Sequence, residues 1–219
     1  MEYEVEPLLR SLFRFAVAEI DGITVDASPP ELKEEISRRV GKQLGAYIGK
    51  PLGEIDRIAK MRKTFKALGL DPARIRPSSE AILRRVLIER HLPSVNSVVD
   101  TGNLLTLTAH LPIGLYDPRG ISGRTVRFRR GQPLERFRAV GGREIRIPGL
   151  CVAADERGAF GSPVYDAERT RIQISTSSLL LVAYAPASLS LIELSDFLDE
   201  ACRTICRFNG GEVLSAQTI

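Results

Sequence analysis

Four side chains with hydrogen-bonding chemistry, Asn96, Asp100, Asn103 and His110, recur at helical spacing inside an otherwise apolar stretch. On a helix from Val95 to Leu111 at about 100° per residue they gather on one side, with Val95, Val98, Val99, Leu105 and Ala109 on the other. Exposed helical faces are usually filled with Lys, Glu and Arg. Short amides, a carboxylate and an imidazole instead suit a cleft in which hydrogen bonds must be placed. The surrounding window, Leu92 to Asp117, holds two charged residues, Asp100 and Asp117, where surface of average composition would carry roughly seven. The polar face is therefore expected to be a pocket wall. The competing expectation is a half-buried helix whose Asn and Asp side chains satisfy nearby backbone.

A second candidate lies at Arg74-Ile75-Arg76-Pro77-Ser78-Ser79-Glu80, which runs into AILRRVL. Ser78 is placed to cap a helix through its hydroxyl, with Glu80 in the first turn, where negative charge is favoured. Arg76, Ser78, Ser79 and the free N–H groups of a helix start also make a ready anion site, fit for a phosphate, a carboxylate or the terminal nucleotide of an RNA.

The elements that position these groups follow from periodicity. Phe13 to Ile23 is expected to be a strand ending at Asp21-Gly22, and Glu31 to Ala46 and Ile55 to Leu68 to be amphipathic helices. After the central helix, Pro112 to Asp117, Arg124 to Arg129, Leu150 to Ala154, Arg171 to Ser175 and Leu179 to Tyr184 have the pattern of strands, with hairpins expected between Gly131 and Gly149. Ser190 to Phe208 closes the chain as an amphipathic helix stopped by Gly210-Gly211. The expected class is α+β: a single domain over residues 1–219, with a helical N-terminal half packed on a mixed or antiparallel sheet and a C-terminal helix.

Composition narrows the classes of function. The chain has 219 residues, a formal charge of +4 and a pI near 9.1. The surplus is carried by arginines such as Arg124, Arg127, Arg129, Arg130, Arg136 and Arg138, which favours an anionic partner. No apolar run approaches the roughly 18 residues needed to span a bilayer, and the acidic start MEYEVEPLLR is unlike a targeting segment, so a cytoplasmic protein without a membrane partner is expected. Three cysteines, Cys151, Cys202 and Cys206, form no disulfide framework. Cys202 and Cys206 sit four apart without a nearby histidine, which favours buried thiols over a metal site; no metal and no cofactor are expected.

The segments RIRPSSEAILRRVL and SVNSVVDTGNLLTLTAHLPIGLYD resemble the B-three/B-four domain of tRNA synthetases, the editing module of the phenylalanyl-tRNA synthetase beta subunit, and still more its freestanding relatives. The resemblance extends with gaps from about Arg74 to Ala185. It rests on Val-Val-Asp-x-x-Asn followed by Leu-Pro-x-x-x-Tyr/Phe-Asp. It implies an α+β fold whose central cleft holds the acceptor end of a mischarged tRNA, with Asn96, Asp100 and Asn103 on one wall and the strand Ile113 to Tyr116 and the loop Gly161 to Asp166 on others. Two positions depart from the pattern. Synthetase editing domains commonly carry a histidine where this chain has Gly114, and a Gly-Gly-Glu loop where it has Ser162-Pro163-Val164-Tyr165-Asp166.

Ester hydrolysis requires a positioned water, an acceptor for its proton and donors for the oxyanion. Asp100 is the candidate base or the partner of the substrate's ammonium group, Asn96 and Asn103 the candidate orienting groups, and backbone N–H groups of the Gly161 loop the oxyanion donors. Arg76, Ser78, Ser79, His110, Gly114, Tyr116, Gly161 and Asp166 complete the expected substrate site. A Ser-His-Asp triad is not expected, since no Gly-x-Ser-x-Gly elbow occurs. The expected function is thus a trans-acting aminoacyl-tRNA deacylase or tRNA-binding protein, with tRNA and not DNA as partner. The alternatives are a non-catalytic RNA- or protein-binding module that kept the fold, and a protein acting on a free amino-acid derivative.

Overall fold

Alternation of large and small side chains along β2 (Phe13–Ile23) sets the layering of the molecule. Phe13, Phe15 and Val17 face one core, while Ala16, Ala18 and Ile20 face another, as the two-residue period of a strand requires. The strand β9 (Ser178–Pro186) repeats the division, with Leu180, Val182 and Tyr184 on the first side and Leu179, Leu181, Ala183 and Ala185 on the second. With β3 (Ile113–Tyr116) and β10 (Gly210–Thr218) they form an antiparallel sheet in the order β10-β2-β9-β3. The computed structural model describes all residues from Met1 to Ile219.

The side bearing large residues packs on a second sheet, ordered β1 (Glu2–Val5), β4 (Thr125–Arg130), β7 (Cys151–Asp155) and β8 (Gly158–Gly161). Stacked rings of Phe15 and Phe128, with centroids 3.9 Å apart, join the two sheets at the centre. The alanine side admits two helices at close range, α5 (Ser97–Ala109) and α6 (Leu191–Asn209). Three further helices, α2 (Pro30–Tyr47), α3 (Asp56–Ala67) and α4 (Ser78–Glu89), bury a smaller core around Val40, Ile58, Leu83 and Val86. Short α1 (Pro7–Leu12) and the hairpin β5 (Arg136–Arg138) with β6 (Glu144–Arg146) complete the α-helices and strands. The observed class is α+β, as expected. No helix is long and apolar enough to cross a membrane.

Several expectations are corrected. Arg171 to Ser175 is not a strand; Thr176 accepts from Gln173 N and donates to Asp117, curling the segment into a turn. Ser78 does not cap α4; Pro77 occupies that position without a side-chain bond. Three strands lay outside the expectations. β1 pairs in parallel with residues more than a hundred positions away, β8 follows directly on the Asp155 to Gly158 turn, and β10 is an exposed edge strand of mixed polarity that starts where Gly210 ends α6.

Candidate functional site

A cleft of about 1000 Å³ opens between α5 and β3 on one side and the Val164–Asp166 loop, the Ala139–Val140 turn and the Arg171–Ser175 segment on the other. Val95, Val140 and Ile174 are 67%, 55% and 74% exposed, and all three stand around this one cleft. Exposed large apolar side chains gathered around one concavity mark a ligand surface.

The helix presents Asn96, Val99 and Asn103 to the cleft. Asn96 is also its N-cap: Oδ1 accepts from Val99 N at 2.9 Å, which leaves the amide N–H₂ as the group free to donate. Asp100 lies roughly 100° round the helix from Val99 and does not line the cleft. Its Oδ2 accepts from the Ser28 and Ser94 hydroxyls at 2.6 and 2.5 Å, and its Oδ1 from Val95 N at 2.8 Å. The carboxylate expected to serve substrate therefore braces the chain entering the helix.

His110 is likewise displaced from its expected place. It ends α5 in the left-handed conformation with φ 55°, is buried, and its Nε2 lies 2.9 Å from Gln43 Oε1. Burial, and then the nearby Arg57 charge, lowers its pKa to about 4. Ser79 is wholly buried and its hydroxyl has no partner. Arg76 and Ser78 line a separate groove of about 350 Å³ with Arg74, Ile82 and Arg85. Val164 and Tyr165 line both that groove and the cleft, so the two adjoin. The N–H of Ser78 is already donated to Pro163 O at 2.8 Å, and Arg76 is held by Glu80 at 3.3 Å.

The floor of the cleft is Asp166. Its Oδ1 accepts from the Tyr116 phenol at 2.8 Å, and that phenol lies 3.1 Å from the Tyr184 hydroxyl. Burial raises the Asp166 carboxyl from 3.8 to about 7, against the opposing pull of the Tyr116 bond. Tyr116 is itself fully buried and reaches Asp166 by passing between Gly114 and Gly161, since a Cβ at either position would overlap the phenol. Gly114, Tyr116 and Gly161 thus stand behind the floor and do not line the cleft. This gives a steric reason for glycine at 114: any larger side chain would displace the tyrosine. Gly161 is engaged in pairing with Ala153 and in a bridge to Asp166. The loop's Val164 and Tyr165 N–H groups are accepted by Ser162 Oγ, so those two donors are not free for an oxyanion.

Sequence reasoning missed the wall formed by Ala139, Val140, Ile172 and Ile174. The alternation of Ile172 and Ile174 was the available signal, and it resembled a strand. No three His, Cys, Asp or Glu side chains are grouped as metal ligands, and the three cysteines are free thiols.

An α+β protein with a mixed apolar and polar cleft between a helix and a sheet edge is the class that these observations define. Residues 60–198 match the family model of the B3/4 domain. That is over half of the chain, and the chain belongs to this family. Among solved structures it is similar to an N-terminal fragment of the phenylalanyl-tRNA synthetase beta-subunit from Pyrococcus horikoshii, at 13% identity and a TM-score of 0.49, covering 97% of this chain and 50% of that one. The chain thus spans about half the length of that fragment. No curated protein matches the sequence.

Proposed function

We propose that this protein binds the aminoacylated 3′ end of tRNA in the cleft and hydrolyses the ester between amino acid and ribose. The observation that carries the reading is the placement of one carboxyl, Asp166, in the lining of a largely apolar cleft that Asn96 and Asn103 share, where burial raises its pKa towards neutrality, to about 7. A general base works best when its pKa lies near the operating pH. In the reaction proposed, Asp166 takes a proton from a water whose oxygen bonds to the ester carbon. The tetrahedral oxyanion then collapses, and the departing ribose oxygen recovers the proton from Asp166. Asn96 and Asn103 line the same cleft, and in this reading their amide groups orient the water, the carbonyl or a ribose hydroxyl. The apolar side chains Val99, Ile113, Leu115 and Ile172 offer a seat for an apolar amino-acid side chain. The volume is that of pockets that enclose ligands of nucleoside size.

The test is release of free amino acid from a panel of aminoacyl-tRNAs by the purified protein, with Asp166→Asn as the comparison. Accelerated release from at least one member, lost in D166N, is expected. Binding of tRNA with no release from any member would make the chain a binding module and sink the hydrolytic reading.

A further inference from the structure

The β5–β6 hairpin carries four arginines, Arg136, Arg138, Arg143 and Arg146, all exposed. Of these only Arg136 is ion-paired, to Glu144 at 3.1 Å. By contrast, the arginines of the groove beside α4 are each engaged, Arg74 with Asp71, Arg76 with Glu80 and Arg85 with Glu89. The register places Arg136 directly opposite Arg146. Like charges in that relation weaken a sheet, so folding does not account for Arg146; Arg138 stands opposite Glu144, whose carboxylate is bonded to Arg136 instead. The inner face is ordinary: Phe137 and Ile145 pair across the strands and pack on the main core. The turn between the strands uses Gly141 and Gly142, at φ 91° and 84°, and its first residues, Ala139 and Val140, are part of the cleft wall. A cationic outer face is therefore fixed to the lip of the cleft.

We propose that the exposed arginines of this hairpin without an ion-pair partner, Arg138, Arg143 and Arg146, form a docking surface for the phosphate backbone of the RNA whose 3′ end enters the cleft. The inference rests on the tRNA reading above and names the part of this chain that grips the nucleic acid outside the cleft. Guanidinium groups pair bidentately with phosphate. Because the cations sit at the mouth of a cleft for a terminal nucleotide, RNA fits them better than a lipid surface does.

The experiment measures tRNA affinity of the full chain over a salt series for the wild type, for Arg138→Ala/Arg143→Ala/Arg146→Ala, and for Arg38→Ala/Arg203→Ala/Arg207→Ala, which removes the same charge elsewhere. In the hairpin variant, binding should weaken on the order of tenfold or more and the slope of log affinity against log salt should shrink by about 2 to 3, at roughly 0.7 to 0.9 per phosphate contact. Release of amino acid from an aminoacyl ester of adenosine, which has no phosphate, should be unchanged. An unaltered slope in the hairpin variant, or an equal loss in the control variant, overturns the proposal. Salt-dependent tRNA binding that needs the hairpin without any ester hydrolysis would sustain it while removing the deacylase reading. Failure of the wild type to bind tRNA at all, including the case in which it binds only anionic vesicles, would remove both.

Discussion

Asp100, on α5 but outside the cleft lining, and Asp166, in the loop after β8 and within that lining, are two aspartates whose surroundings give them opposite characters. Asp100 is 2% exposed and accepts three hydrogen bonds, from two hydroxyls and a backbone N–H. Asp166 looks into the cleft, and its one side-chain bond comes from the Tyr116 phenol. A carboxylate surrounded by donors is a structural brace, whereas one desolvated with a single donor holds its proton up to about neutral pH. Residue type therefore says little about role; the number of donors that the fold brings to the carboxyl decides it.

The sharpest contrast is in the paired substitutions. Asp166→Asn should lower the rate of aminoacyl-ester hydrolysis by about 100-fold or more, the usual weight of a general base. In the wild type the rate should climb with pH through about 7 and then level, as the carboxyl ionises. The same change should alter stability in the opposite sense. Between the ordinary value of 3.8 and about 7, the unfolded chain has lost the proton that the folded chain keeps, so wild-type stability falls as pH rises through that window. D166N should flatten this slope in denaturant titrations at pH 4 to 7.5. A rate unaffected by the substitution would end the distinction between the two aspartates.

Gly114→Ala comes next. With its Cβ overlapping the Tyr116 phenol, overpacking should cost about 1–3 kcal/mol, read as a lower denaturation midpoint, and hydrolysis should fall with it because the phenol is moved off Asp166. Asp100→Ala should cost a similar about 1–3 kcal/mol by stranding Val95 N and two hydroxyls, yet leave the rate of the folded fraction within about threefold, an effect too small to bear on the barrier. A hundredfold loss in D100A at full folding would reverse the assignment of roles. Smallest is Tyr116→Phe, worth about 1 kcal/mol in stability. Since the Tyr116 bond lowers the Asp166 pKa, its removal should shift the pH–rate midpoint upward, and a downward shift would contradict the arrangement.

Much of the fold was legible along the chain because local periodicity and burial agree. The strand Phe13–Ile23 and the helices α2, α3 and α6 fall within a residue or two of where apolar spacing and terminators such as Gly69 and Gly210 put them. Of the elements that escaped, β1 is defined by a distant partner and β10 is an exposed edge strand, and neither leaves a strong local pattern; β8 pairs with β7 just before it but is four residues long with Gly at both ends, too short to show a period. The family resemblance read from the segments Arg74–Leu87 and Ser94–Asp117 is shown by the match over residues 60–198.

The sequence by itself determined that this is an α+β protein of the B3/4 family and that the helix around Asn96 and Asn103 carries a polar face set in apolar surroundings. Tertiary structure alone decided which part of that face meets the cleft, because the direction in which a helix presents its side is set by what packs on its back. It also decided that Asp100 turns to Ser28 and Ser94, and His110 to Gln43. The pairing of Tyr116 with Asp166 lies beyond any local reading: the two are 50 residues apart, and their contact needs both Gly114 and Gly161 to leave room for one phenol.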